Sequence, residues 1–328
     1  RGWYPAMNSP FYGWIVVACA FLVLFFTYGV QYSFGVFIPP MIDELGWRRA
    51  SLGGVFSLYS LVYMGFSLLS GRLTDTLGPR RVIGLGGVLL GLGIMATSQI
   101  SAQWQLYLCY GLVAALGMST AYIPCNMTVV RWFHIRRGLA LGIASCGASC
   151  GILVVPLLAS FIIDQADWRV GLFTLGAALF IAINVVARFM VRGPELLGLQ
   201  PDGAATPPSS GVAYVGSAGD DLAAWTLSEA RATITFWMLL LAFTIALLTV
   251  TVPFVHVPLF ARDIGLSAMG GAAAISVIGL FALIGSIALG ALSDRIGRKA
   301  AMALALCVQI AAFLIFLEAD DSIMLYVG

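Results

Sequence analysis

Long apolar runs alternate with short polar segments along this chain. A helix that crosses a bilayer needs about 20 mostly apolar residues. Nine stretches meet that need, at 12–38, 51–71, 81–100, 104–130, 138–163, 169–190, 234–259, 268–291 and 300–317, and a tenth begins near 322. The series is interrupted after its sixth member by a polar stretch, 193–233, which holds Pro194, Pro201, Pro207, Pro208, Ser209, Ser210 and Gly211. That composition belongs to a linker, not a span. The linker ends on Thr226-Leu227-Ser228-Glu229, which fits a capping box opening an interfacial helix ahead of the seventh run. The pattern predicts an all-α integral membrane protein. Its first unit is an amino-terminal six-helix bundle over 1–192, followed by a cytoplasmic linker over 193–233 and an incomplete second bundle over 234–328. The chain opens on Arg1, and Ser322–Gly328 starts another apolar run, so it reads as a fragment of a longer protein.

Composition sharpens the exclusion. Hydrophobic residues make up 60% of the chain and charged residues 10%, against about 45–50% and about 25% in soluble domains. A water-soluble enzyme is excluded. The net charge of +2 is too small to suggest a nucleic-acid partner. The distribution of charge says more than its sum. With the amino terminus inside, 13 of the 17 Lys and Arg residues fall on the inner side and only Arg48, Arg49, Arg169 and Arg262 on the outer. This asymmetry is the positive-inside pattern and makes the amino terminus and the linker cytoplasmic. Every Asp, Glu, Lys and Arg sits in a loop or at a span end. Intramembrane charge usually marks an ion or proton pathway, and the nine stretches carry none. The six cysteines form no C-x-x-C pair, and no metal or other cofactor is expected.

Two loops match each other. Gly71-Arg72-Leu73-Thr74-Asp75-Thr76-Leu77-Gly78-Pro79-Arg80-Arg81 follows the second run, and Gly290-Ala291-Leu292-Ser293-Asp294-Arg295-Ile296-Gly297-Arg298-Lys299 follows the eighth. They are six spans apart, the signature of an internal repeat. The first glycine of each lets a neighbouring helix approach. The Asp can face the positive end of another helix, the second glycine permits a tight turn, and the basic residues hold the loop at the cytoplasmic surface.

Both loops resemble the G-x-L-[AS]-D-x-x-G-R-[KR] signature of the major facilitator superfamily. The resemblance implies a major facilitator fold of two six-helix bundles, here with the second incomplete, and alternating access around a midplane site. It also implies that each motif Asp faces the opposite bundle, with Asp294 meeting Arg137–Gly138 and Asp75 meeting a later span. A narrower resemblance lies in Arg131-Trp132-Phe133-His134-Ile135-Arg136-Arg137-Gly138-Leu139-Ala140-Leu141-Gly142-Ile143-Ala144-Ser145-Cys146-Gly147, with Phe11-Tyr12-Gly13-Trp14 ahead of it. Both stretches are similar to the monocarboxylate transporter and oxalate/formate antiporter group. That group implies small organic anions as substrates, often moved with a proton by symport. Gly138 and Gly142, and Gly147 and Gly151, are spaced for close helix contact. The chain departs from the group in its eighth span, with Ser286 where many members carry a carboxylate-binding Arg, and Ala282 where some carry an Asp.

Polar residues inside apolar runs are costly unless paired or wetted, and they are the candidate substrate contacts. They are Tyr28 and Gln31 in the first span, Tyr122 and Asn126 four residues apart in the fourth, His256 in the seventh and Ser286 in the eighth. Tyr59 and Tyr63 read as packing or gate residues. The functional expectation is a secondary transporter of a small organic acid, with a proton as candidate co-substrate. It is monomeric and sits in the lipid bilayer of a bacterial inner (plasma) membrane. A neutral or bulkier acid-bearing solute is the alternative. A transport-dead receptor would need a soluble extension. An integral-membrane enzyme would need a catalytic cluster, and with two histidines 122 positions apart and no G-x-S-x-G elbow there is none.

Overall fold

The computed structural model describes residues 11–134, 136–201, 229, 231–296 and 298–317, and at some helical positions, Ser286, Asp294 and Arg298 among them, the backbone only. Its regular elements are helical: α1 (Tyr12–Tyr32), α2 (Phe34–Leu45), α3 (Arg49–Leu77), α4 (Pro79–Thr97), α5 (Gln103–Leu106), a π-helical stretch (Tyr107–Ala114), α6 (Ala115–Met118), α7 (Tyr122–Trp132), α8 (Arg137–Gln165), α9 (Trp168–Ala187), a 3-10 turn (Pro194–Leu197), α10 (Ile234–Asp263), α11 (Ala268–Ile296) and α12 (Arg298–Leu317). Each of the nine predicted spans falls on these helices. The start of the tenth, most of the linker with its capping box, and Gly297 lie outside the described residues. Among the described residues, seven segments are long and apolar enough to cross a membrane. The chain is a multi-pass integral membrane protein.

The helices outrun the apolar stretches that announced them. Helix α3 reaches Leu77 although its apolar run ends near 71, and α1 with α2 forms one 34-residue segment, Tyr12–Leu45, that passes through Pro39 and Pro40. The cause is backbone hydrogen bonding. A helix entering the interface satisfies its own N–H and C=O groups, whatever its side chains, until a breaker stops it. Gly78, with φ +82°, is such a breaker. It turns the chain between α3 and α4, and Pro79 occupies the first helical position, where its missing N–H costs nothing.

Small residues set the packing. A Cβ on Gly147 would run into the backbone of Phe21, and one on Gly151 into the Phe25 carbonyl, so α8 lies directly on the backbone of α1. In α4, Gly91 likewise faces the backbone of Phe180 and Gly176 in α9, while Gly87 makes room for the Ile183 side chain. Without a hydrophobic drive inside lipid, such close backbone approach is what holds helices together. The expected role of Gly147 and Gly151 is therefore met in α8. Gly138 and Gly142 differ: a Cβ at either would meet nothing within 4 Å.

The alternating helices create two ends. At the Arg-poor end, Arg169 bonds Glu44 at 2.9 Å and the carbonyls of Ser98 and Ile100, while Trp168 donates its indole N–H to Glu44. At the Arg-rich end, Trp132 donates to the Val191 carbonyl and Tyr12 to the Phe189 carbonyl, both at 2.9 Å. Helices α10 and α11 lie against α2 and α8 and form a seam with the earlier helices.

Candidate functional site

Two features of the sequence converge at the seam. In α1, Tyr28 and Tyr32 are one turn apart, and their rings stack at 6.0 Å. In α3, Tyr63 is one turn from Tyr59. The Tyr28 and Tyr63 hydroxyls lie 3.1 Å apart in a hydrogen bond. The Tyr122 ring, from the first turn of α7, stands edge-on to Tyr28 at 6.2 Å. Tyr32 reaches across the seam to Phe254 of α10, with centroids 3.9 Å apart. Four tyrosines from three helices therefore form one cluster, closed on one side by Phe254.

The three helices that carry it, α1, α3 and α7, also hold buried polar atoms without partners. Gln31 is 6% exposed, and its Oε1 accepts no hydrogen bond; the Tyr59 hydroxyl and Asn126 Oδ1 are buried and equally unpaired. Tyr110 bridges the first two: its ring stacks on Tyr59 at 4.8 Å, and its hydroxyl donates to the Gln31 carbonyl at 3.4 Å. Tyr110 belongs to the π-helical stretch, a form that is frequent at functional sites. An unpaired buried polar group costs about 1–3 kcal/mol, so three of them on the helices that carry the hydroxyl cluster suit a polar guest. The hydroxyls can serve one. In the Tyr28–Tyr63 pair one O–H donates to the other, and the second O–H proton stays free to donate to a solute oxygen. Among the described residues no cation joins the cluster.

The seam is tight toward the Arg-poor end. Gly35 has no side chain because the Phe254 carbonyl and Pro258 occupy its Cβ position, and a Cβ on Gly279 of α11 would come within 2.6 Å of the Leu153 backbone nitrogen. Val36, Ile152, Phe254, Ala272 and Ile275 bury one another there. Asp43 and Arg262 form an ion pair across the seam at 2.9 Å. Gly142 lies eleven residues, about three turns, before Leu153 and so on much the same face of α8, yet it has open space beside it. The helices touch at Leu153 and part toward the Arg-rich end.

The Major Facilitator Superfamily model matches residues 20–328. The chain belongs to the major facilitator superfamily. It is 29% identical over 293 residues to the MFS-type transporter pytF of Aspergillus terreus, covering 89% of this chain and 92% of that protein. It is 27% identical over 289 residues to monocarboxylate transporter 13 of Rattus norvegicus, covering 87% of this chain and 62% of that one. It is 29% identical over 286 residues to monocarboxylate transporter 11 of Mus musculus, covering 87% and 60%. The chain thus spans about three fifths of the monocarboxylate transporters it matches. Among solved structures, it superposes on a bacterial homologue of the human lysosomal transporter Spinster, in an inward-facing, unoccupied conformation, with a TM-score of 0.73 and 16% identity over 97% of this chain and 71% of that one. It also superposes on a D-xylose–proton symporter, with a TM-score of 0.65 and 15% identity over 96% and 79%. The superfamily is one of transporters of small molecules and not of enzymes.

For this superfamily member, the remaining predicted residues fall as follows. Gly71 sits 3.5 Å, measured from an ideal Cβ, from Ile123 of α7, an ordinary contact. Arg80 and Arg81 are exposed at the start of α4. Asp75 is bound by Arg131 of α7 at 2.7 Å; the later span expected to face it lies outside the described residues. Arg131 lies in the last turn of α7, within reach of the end of α3. Gly290 and Asp294 lie in α11 and Arg298 opens α12, but the side chains of Asp294 and Arg298, like that of Ser286, are outside the description. His256 stands exposed on α10 and does not join the tyrosines. The two stretches of the narrower resemblance meet in space: Phe11 packs on Trp132 at 5.8 Å and on Phe133 at 5.6 Å, and Trp14 packs on Phe133 at 4.9 Å. Tyr63, read from the sequence as a packing or gate residue, is a member of the cluster, as is Phe254, which the sequence reading passed over. Tyr63 carried a signal, a hydroxyl four residues from Tyr59 within an apolar run. Phe254 carried none.

Proposed function

We propose that this chain is part of a secondary active transporter of small organic anions that works by alternating access. Its two helix groups, 1–192 and 234–328, rock about the seam, with 193–233 as a cytoplasmic linker and the amino terminus inside. The observation that carries this reading is the tyrosine cluster at the seam, with unpaired Gln31, Tyr59 and Asn126 atoms on the same three helices, in a chain similar to proteins named monocarboxylate transporters. A carboxylate held there would accept from the free hydroxyl of the Tyr28–Tyr63 pair, while the unpaired Asn126 Oδ1, an acceptor, would take a donor hydrogen of the solute, such as the O–H of a hydroxy acid. In this reading Tyr122 faces the solute from α7, and Gln31 lies behind it. Rocking would part Tyr32 from Phe254 and bring the Arg-rich halves of α8 and α11 together.

The chemistry of the cluster favours a second reading of the substrate. Hydroxyls and amides without a described cation hold a neutral solute, or an acid in its protonated form, as readily as an anion. Uptake into proteoliposomes decides between them. Lactate, pyruvate, oxalate and bulkier acids are offered with and without an inward proton gradient. Saturable uptake that rises with the gradient supports a protonated acid or a proton-coupled anion. No saturable uptake of any acid refutes the organic-acid reading.

A further inference from the structure

A second place in the molecule has the features of a ligand site. At the Arg-poor end of the seam a cleft of about 310 Å³ opens between α2, α8 and the α10–α11 turn. Its walls are apolar, with Val36, Pro39 and Pro40 on one side and Pro258 and Leu266 on the other. Its polar groups are Asp43, Arg262 and Ser267. Drug-sized ligands occupy pockets of about 300–1,000 Å³ that are mostly apolar with a few placed polar groups, so this cleft is at the small end of that range.

The charged pair in it is poorly committed. Asp43 accepts from one nitrogen of Arg262, Nη2, at 2.9 Å, whereas a guanidinium carries five N–H donors and prefers a two-pronged carboxylate. The other donors of Arg262 have no protein acceptor among the described residues. Both partners are about half exposed, and an ion pair in such a setting contributes little. An incoming carboxylate that also places an apolar body on the proline walls gains a contact that Asp43 cannot offer. Ser267 stands beside the pair, with its Oγ accepting from the Gly270 N–H at 3.2 Å and its own proton available.

From this we infer that the cleft is a docking site for a monocarboxylate with a compact apolar body, which displaces Asp43 from Arg262 before the solute reaches the tyrosine cluster. The inference takes its ligand class from the organic-acid reading but is tested by binding, independently of transport. The chain is reconstituted in phosphatidylcholine nanodiscs, and S267C is labelled with a membrane-impermeant maleimide, with the labelling of the parent chain subtracted. Phenylacetate, an acid with a small apolar body, is expected to slow labelling at least five-fold, while the neutral phenylacetamide leaves it unchanged. In the same background R262Q abolishes the protection, R262K retains part of it, and D43N lowers the half-protecting concentration several-fold because the competing carboxylate is gone. D43N keeps Arg262 in place and answers the question if R262Q does not fold. Equal protection by acid and amide, protection that survives R262Q, or a D43N half-point equal to that of the parent overturns the assignment. So does labelling slowed by added phosphatidylglycerol but not by phenylacetate, which would make a lipid headgroup the ligand. Protection without any uptake would refute the organic-acid transport reading and leave the docking site standing.

Discussion

Gly151→Ala is the most informative single change in the membrane core. A Cβ at this position would run into the Phe25 carbonyl oxygen and stand 3.0 Å from both the Phe25 carbonyl carbon and the Gly29 nitrogen. All of these are backbone atoms of α1, so no side-chain rotation relieves the overlap, and α1 and α8 must part by several tenths of an ångström. Overpacking of this kind costs about 1–3 kcal/mol. Gly142→Ala, on the same helix, is the control. Nothing lies within 4 Å of its Cβ, and alanine is favoured over glycine in a helix by up to about 1 kcal/mol. That propensity gain is common to both variants and cancels, so they should differ by the overpacking cost of about 1–3 kcal/mol, about five-fold to two orders of magnitude in the unfolding equilibrium. Unfolding in mixed micelles by titration with a denaturing detergent, followed by far-UV circular dichroism, measures both. Equal midpoints for Gly151→Ala and Gly142→Ala would refute the claim that α1 and α8 meet backbone to backbone at Gly151.

Other outcomes follow from single contacts. Tyr63→Phe removes the partner of the Tyr28 hydroxyl and is expected to raise the KM for the transported solute about ten-fold, with no change in the unfolding midpoint. Asn126→Ala removes the unpaired Oδ1 and should likewise weaken affinity without unfolding the protein. Trp132→Phe replaces a fully buried indole by a smaller ring and deletes the donor to Val191, and should cost at least about 1–3 kcal/mol in the same unfolding titration. Asp75→Asn breaks a half-exposed ion pair with Arg131 and should change stability by less than about 1 kcal/mol. An effect on transport rate much larger than that on stability would mark Asp75 as a conformational residue.

Much of the fold was legible in the chain because a bilayer imposes one rule on it. Each apolar run of adequate length must be a helix, and the nine runs are helices. The duplicated loop was equally legible, since glycine, acid, glycine and paired bases recur in register. So were the two aromatic stretches near Phe11 and Trp132, although that they pack on each other was not. Pairings between distant side chains left no local mark. Asp43 and Arg262 are 219 residues apart and each reads as an ordinary span-end charge. Phe254 is one apolar residue in an apolar helix, and only the position of α10 against α1 makes it the lid of the tyrosine cluster. The π-helical turn at Tyr107–Ala114 has no side-chain signature, because it changes hydrogen-bond register and not residue type. The contact of Asp75 with Arg131 was equally silent in the sequence, since the two residues are 56 positions apart and each reads as a span-end charge.

Uptake measured side by side in proteoliposomes of the unaltered protein, Tyr63→Phe and Asn126→Ala tests the central claim most directly. The account predicts saturable uptake of at least one carboxylic acid by the unaltered protein and a raised KM in both variants. Saturable uptake with the same KM in all three would remove the tyrosine cluster as the substrate site, and absence of acid uptake by the unaltered protein would remove the organic-acid function itself.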